Sequence, residues 1–326
     1  MKTHYYCTLF DRNYLAKGLV MLQTLLRHCP EAKVFVLCMD EETKSILSSL
    51  DLPGVSLLTL NEVEDEDLLR VKTGRTIAEY CWTLSAATCW YVICHFEQVD
   101  RLTYLDADLM FFSSVEPLFD EIGDKSISII EHRFSERFQH LEAYGRFNVE
   151  WVTFVRDEHG LRCLKKWRDQ CIDWCFARLE DGRMGDQKYL DHWPSDFNGY
   201  IHILEHPGAG IAPWNFSNYN YPIVNDVFFV NDSPLIFYHF HQFQLLSGNS
   251  YDYMSETYSR GFSIPVHIYK AYEYELEKSL KQIRIHIPKF NGGIRSGGKI
   301  FVRRLAQQFL PISIKNFLRK YKVQMW

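Results

Sequence analysis

The order of apolar and polar positions separates the first sixty residues into short alternating elements. His4 to Leu9 reads as a strand, ending at Asp11. Across residues 13–28, Leu15, Leu19, Leu22 and Leu26 recur at helical spacing. The apolar run Val34 to Cys38 ends in Met39 and Asp40, residues 41–50 have a helical pattern, and Val55 to Leu60 reads as another strand. This β-α-β-α-β alternation predicts an α/β fold with a mostly parallel central sheet and helices on both faces. In such sheets ligands bind beyond the carboxyl ends of the strands. Thr8, Asp11 and Asp40 lie at such ends.

Further along, residues 76–96 predict a helix without charge over its length from Tyr80 to Phe96. That stretch is about 17 residues long and holds Thr83, Ser85, Thr88 and His95, which is short and polar for a membrane span, so a buried helix is expected. Residues 101–112 read as a strand that stops in carboxylates. Residues 160–179 carry Leu161, Leu164, Trp167, Cys171, Trp174 and Leu179, the pattern of a long amphipathic helix. From 193 to 265 the chain is rich in Pro, Gly, Asn and aromatic residues, a composition that suits ordered loops over a site. No internal repeat or low-complexity segment is visible.

Composition changes this picture at the C-terminus. The chain has 326 residues, 36 Lys and Arg, 41 Asp and Glu, and a formal charge of −5. The last acidic residue is Glu277 and twelve basic residues follow it, so residues 1–277 carry −17 and the remainder +12. A globally basic nucleic-acid binder is excluded, and a basic tail over 278–326 that seeks an anionic surface is expected. Two short basic amphipathic helices, over 299–309 and 313–326, suit a membrane-surface anchor or a helix packed on the acidic body. Gly292, Gly293, Gly297 and Gly298 read as a flexible joint before them. The nine cysteines form no CxxC pair, which points to a reducing cytosol, and the N-terminus lacks the apolar core of a signal peptide.

Four short segments carry candidate chemistry. Asp106-Ala107-Asp108 follows an apolar strand; two carboxylates at i and i+2 on one face can approach a hard divalent cation together, or be two solvated loop aspartates. His239 and His241 alternate onto one face of an extended segment, where imidazole could complete a coordination sphere or simply fill a core. Asp186 and Gln187 close the polar run from Glu180. His206 to Asn215 combines Gly208 and Gly210, which permit close backbone approach, with Trp214, an apolar plate for a sugar ring; a buried turn explains it nearly as well.

In chain order these segments resemble bacterial nucleotide-diphospho-sugar transferases of the GT-A fold, and more distantly glycosyltransferase family eight. The resemblance covers residues 3–245. It rests on Tyr104 to Phe112, Arg146 to Val149, Glu180 to Leu190, His206 to Asn215 and Tyr238 to His241, with Arg75 to Thr83 resembling the helix that precedes the Asp-x-Asp strand. It implies a GT-A catalytic domain over 1–277, with a nucleotide-binding half over 1–112 and an acceptor half over 113–277. Asp106 and Asp108, joined by Ala107 and with His239 as third ligand, would hold Mn²⁺ or Mg²⁺ against the diphosphate of a nucleotide-sugar donor, a UDP-sugar by resemblance. Thr8, Asp11 and Tyr14 resemble the nucleotide-base site, and Arg75 would contact donor phosphate or ribose. Asp186 and Gln187 resemble the catalytic pair beside the donor sugar in retaining members. Asn148, Gly208, Trp214, Asn215 and His241 are the expected substrate-binding residues. Two departures stand out: the phosphate-binding Lys of the late motif is missing after His239, and Glu150 stands where Gly is common.

The implied function is transfer of a sugar to a hydroxyl of a glycan or lipid-linked acceptor, in the cytoplasm and peripherally on the inner face of the plasma membrane. Two other readings compete. A sugar nucleotidyltransferase or phosphohydrolase also places carboxylates at strand ends, but residues 1–30 offer only Gly18 for a Gly-rich loop. A non-catalytic carbohydrate-binding protein would use Trp214 and the many tyrosines without releasing nucleotide.

Overall fold

The computed structural model describes residues 3–248, 250–259, 261 and 263–295. It begins β1 (Tyr5–Phe10), α1 (Leu15–His28), β2 (Lys33–Cys38), α2 (Glu41–Leu50), β3 (Val55–Thr59), α3 (Leu60–Val63), α4 (Glu66–Lys72) and α5 (Ile77–His95). The middle comprises β4 (Arg101–Leu105), β5 (Leu109–Phe111), α6 (Glu116–Ile122), β6 (Ile127–Glu131), β7 (Phe147–Val155), α7 (Glu158–Asp173), α8 (Trp193–Asp196) and β8 (Ile201–Leu204). The last part comprises β9 (Ile223–Val224), β10 (Val227–Val230), β11 (Ser233–Pro234), β12 (Phe237–His239), β13 (Gln244–Leu246), β14 (Ser250–Asp252), α9 (Glu256–Ser259), α10 (Val266–His286) and β15 (Ile294–Arg295).

A seven-stranded sheet in the order β3-β2-β1-β4-β7-β6-β8 forms the centre. β7 is antiparallel to both neighbours and the other six strands run one way, so the expected mostly parallel α/β sheet is present. Both faces are covered, which is why its strands are nearly continuous apolar runs. In β1, alternation sends Tyr6 and Phe10 into the core against α1 and α10, and Cys7 and Leu9 into the core against α5 and α7. From Tyr80 onward α5 is the expected uncharged buried helix, started by a capping box between Thr76 and Glu79. The strand order reverses beside β1, with β2 and β3 on one side and β4 on the other. Such a switch point opens a crevice at the carboxyl ends of β1 and β4.

Several boundaries differ from expectation. The strand expected over 101–112 is two strands: β4 stops at Leu105, the chain turns through Asp106-Ala107-Asp108, and β5 leaves the sheet to pair with β12. The helix expected to run to 179 ends at Asp173, where Trp174 turns extended and packs edge-on to Phe176. Within 193–265 the loops are interrupted by short strands and 3-10 turns. The composition break at Glu277 falls inside α10, which packs on α1 through Arg27–Glu275 (3.0 Å) and Gln23–Gln282 (2.8 Å). Charge therefore does not mark the edge of the folded body. Gly292 and Gly293 are not a free joint: a Cβ on either would run into the backbone carbonyls of Arg12 and Asn13. The tail helices expected over 299–309 and 313–326, with Gly297 and Gly298, lie outside the described residues. Among the described residues no helix is long and apolar enough to cross a membrane. All nine cysteines are free thiols.

Candidate active site

The turn after β4 is drawn together with β12 by strand pairing. His239 is the register partner of Leu109, next to Asp108, and the Phe240 amide donates to the Asp108 carbonyl (2.9 Å). One ligand atom from each of Asp106, Asp108 and His239 lies within 4.8 Å of the others. His239 Nε2 is 3.0 Å from Asp108 Oδ1 and 3.8 Å from Asp106 Oδ2. Its other ring nitrogen, Nδ1, is 2.5 Å from Glu150 Oε2. Two carboxylates and one imidazole form a donor set that suits Mn²⁺, with its tolerance for both oxygen and nitrogen, better than all-oxygen Mg²⁺. The described residues thus fit a divalent cation.

The cluster forms part of the wall of a cavity of about 850 Å³ at the switch point. Asp11, Tyr14 and Lys17 enter it from β1 and α1, Trp82 and Ser85 from α5, Asp186 and Gln187 from the loop after α7, and Arg295 from β15. Its charge balance is acidic. Burial pushes Asp106 up to about 7, with Asp108 and Glu150 adding to the shift and His239 opposing it. Burial also pushes Asp186 up to about 7, reinforced by Asp106. Asp108 falls below the usual carboxylate range because His239 and Lys17 outweigh its burial. For His239 burial pulls downward, but Asp108 and Glu150 prevail and raise it well above the usual imidazole range. Burial, and then the charge of His239, pulls His241 down to about 4. Lys17, only 8% exposed, is lowered by burial and partly restored by Asp108.

Asp11, Tyr14, Asp106, Ala107, Asp108, Asn148, Asp186, Gln187, His239 and His241 all line this cavity. Five other expected site residues are outside its lining. Thr8 is buried within β1 with no partner for its hydroxyl among the described residues. Arg75 is tied to the Thr83 hydroxyl and to the Ile172 carbonyl (2.5 Å), so it fastens the end of α7 to α5 instead of reaching the cavity. Gly208 packs on Pro234, where a Cβ has no room, and its carbonyl accepts from Ile236 (2.7 Å). Asn215 is wholly buried, bonding Ala212, His132 and Gly210 of the backbone. Trp214 is buried behind the site, edge-on to both His239 and His241 at 5.3 Å. Trp214 is thus part of the floor on which the histidines rest.

Lys17, Glu150 and Arg295 were not among the expected site residues. Two of them left a signal in the pattern. Lys17 is the single charge in the buried run Leu15 to Leu22, and Glu150 the single charge in the nine-residue strand β7. A charge at such a position must find a partner or a function.

No protein-family model matches the chain. It is 30% identical over 296 residues to the uncharacterized protein YfnD of Bacillus subtilis, covering 90% of this chain and 95% of that one. A second uncharacterized protein of Bacillus subtilis, YfnF, is 29% identical over 298 residues, covering 89% of this chain and 97% of that one. The crystal structure of the glycosyltransferase GlyE of Streptococcus pneumoniae superposes with a TM-score of 0.51 at 15% identity, covering 88% of this chain and 64% of that one. The fold is GT-A.

Proposed function

Since the chain belongs to the same family as YfnD and has the GT-A fold, we propose that it is a glycosyltransferase that moves a sugar from a nucleotide-diphosphate-sugar to an acceptor hydroxyl. The observation that carries this reading is the Asp106-Asp108-His239 cluster at the sheet's switch point. The cavity around it falls within the range of small-molecule sites.

Asp106, Asp108 and His239 would hold Mn²⁺ or Mg²⁺. Such an ion supplies charge neutralisation for a departing diphosphate. The chain's own groups do the rest. Asp11 and Tyr14, at the base end of the cavity, orient the nucleoside. Lys17 and Arg295 are cations on the cavity wall, and they face the diphosphate in place of the lysine absent after His239. Asp186 and Gln187 flank the donor sugar and stabilise positive charge on its anomeric carbon. The bond from that carbon to the phosphate oxygen breaks as the acceptor oxygen bonds to it, and the acceptor proton leaves with the diphosphate. Entry on the leaving-group face retains configuration. Asn148 and His241 contact substrate from the cavity floor.

The donor is a UDP-sugar and the acceptor a glycan or lipid-linked hydroxyl in a cytoplasmic reaction at the inner membrane face. The basic tail would supply the contact with anionic lipid. Because Asn291 and Gly293 to Arg295 line the cavity, flotation on anionic liposomes is best compared between the full chain and residues 1–295; equal flotation removes the tail's part. The activity is tested by incubating the full chain with a panel of nucleotide sugars, with Mn²⁺ and with EDTA. Release of free nucleotide with Mn²⁺ alone is expected, and no release from any donor overturns the reading.

A further inference from the structure

The second departure noted in the sequence, a carboxylate in the middle of an apolar strand, acquires a partner in the fold. Glu150 lies in β7, is wholly buried, and has one side-chain partner among the described residues, His239 Nδ1 at 2.5 Å. Its other oxygen, Oε1, has no hydrogen-bond partner among the described residues. A buried carboxylate with half of its acceptors unused is a costly way to fill a core, so its remaining bond calls for an explanation. The surroundings make room for it: Gly210, at φ +67°, lies so close that a Cβ there would be 2.9 Å from Oε1. Main-chain bonds fix its position. The Glu150 amide donates to Asn148 Oδ1 (2.7 Å), and its carbonyl accepts from the Asp106 amide (3.4 Å). Glu150 thus touches two members of the cluster, one through its side chain and one through its backbone.

An ionised carboxylate only accepts hydrogen bonds, so the ring nitrogen facing it must carry the proton. Nε2 faces the carboxylates of Asp108 and Asp106, so its proton is the one that a cation shared with them would displace, freeing its lone pair for the ion while the Nδ1 proton stays on Glu150. We propose that Glu150 is the positioning residue of this cluster: its carboxylate holds the His239 ring in the tautomer and orientation that aim Nε2 at the point shared with both aspartates. The proposal rests on the reading of Asp106, Asp108 and His239 as ligands of a divalent cation. A carboxylate behind a ligating imidazole raises its basicity and fixes its direction, and loss of such a partner typically costs tenfold to a hundredfold in metal affinity.

The test compares the wild-type chain with Glu150→Gln and Glu150→Ala. Mn²⁺ affinity is read by electron paramagnetic resonance, and the His239 tautomer by ¹⁵N NMR with Mg²⁺ bound. Glu150→Ala should bind Mn²⁺ about tenfold to a hundredfold more weakly. Glu150→Gln, whose amide oxygen can still accept the Nδ1 proton, should stay near wild type. The wild-type spectrum should show the proton on Nδ1. Three results would overturn the proposal: a folded Glu150→Ala with wild-type affinity, a Gln variant as weak as the Ala variant, or a wild-type His239 protonated on Nε2 alone. If Glu150→Ala does not fold, the Gln variant and the wild-type spectrum still decide. A wild type that binds neither Mn²⁺ nor Mg²⁺ removes the metal reading itself, and this proposal with it.

Discussion

The ammonium of Lys17 stands 3.8 Å from a carboxylate oxygen of Asp108, and both side chains are 8% exposed. They are charge partners across the join between α1 and the turn that follows β4. Lys17 and His239 together do not balance Asp108, Asp106 and Asp186, and burial raises Asp106 and Asp186 to about 7. The cavity is therefore short of positive charge in its core, and a divalent cation would relieve that shortage.

Neutral replacements of the two aspartates should accordingly part company in stability while agreeing in activity. Asp106→Asn and Asp108→Asn should each abolish Mn²⁺-dependent nucleotide release. In EDTA at pH 8, Asp106→Asn should melt at or above wild type, because burial disfavours the charge it removes. Asp108→Asn leaves Lys17 buried without its partner and should melt roughly 2–4 °C lower, from a loss of about 1–3 kcal/mol. Thermal melts in EDTA separate the two; full nucleotide release by either variant would refute the role of the pair.

Lys17 itself should matter to the anion more than to the metal. Lys17→Met removes a cation from the cavity wall and should weaken UDP binding in Mn²⁺ by about tenfold to a hundredfold, the worth of one hydrogen bond to a charged group. Mn²⁺ binding without nucleotide should not weaken, since a competing positive charge has gone. Calorimetric titration with each ligand checks both. A parallel loss in the two titrations would mean that Lys17 only holds the site together.

The parts of this molecule that were legible in the sequence are those written in local periodicity. β1, α1, β2, α2 and β3 follow from alternation and helical spacing, and the buried nature of α5 follows from its lack of charge. The Asp106, Asp108 and His239 grouping was accessible through resemblance, but the reason for it, the pairing of β5 with β12, is a contact between residues far apart in sequence. The same holds for Asn291 and Gly293 to Arg295, which return to wall the cavity beside Asp11 and Tyr14. Trp214 and Asn215 have the composition of a sugar site, yet Asn215 spends its hydrogen bonds on backbone and Trp214 packs against the histidines. Residue type alone does not distinguish a group that touches substrate from one that supports the group that does.

Two glycines make that distinction measurable. Gly208 lies behind the cavity against the Pro234 carbonyl, so Gly208→Ala should lower stability by about 1–3 kcal/mol, the usual cost of overpacking, and leave the donor KM unchanged. Gly293 lies in the cavity wall at φ +69°, where an added Cβ would run into the Asn13 carbonyl. Gly293→Ala should push the β15 segment off the loop after β1 and raise the donor KM several-fold. Urea unfolding and donor titration of both variants decide. A donor-KM effect confined to Gly208→Ala would reverse the two roles.

His132 offers a test of the cavity floor by pH. Its Nδ1 donates to the Arg146 carbonyl (3.2 Å), and its Nε2 accepts from Asn148 Nδ2 (2.9 Å), whose amide is held in that orientation by the Glu150 N–H on Oδ1. A second proton on the ring would face a donor. Burial pulls His132 down to about 3, His239 and His241 add to that, and the Arg146 carbonyl and Asp191 oppose it. Above pH 6.5 the ring is neutral in both folded and unfolded chains, and its contribution to stability is complete. As pH falls, the unfolded chain takes up the proton and the folded one does not, so stability drains until pH reaches about 3. Asp106 and Asp186 act in the opposite sense, since their raised values favour the fold below about 7. The total slope therefore mixes both signs, and a difference between two chains is needed. His132→Asn should be less stable than wild type at pH 7.5, where it loses packing. Between pH 6.5 and 4.5 it should recover about 2–3 kcal/mol relative to wild type, because the variant has no imidazole to protonate. Urea unfolding in EDTA at pH 7.5, 6.5 and 4.5 measures this, and parallel stability profiles for the two chains would show that His132 takes its proton in the folded state.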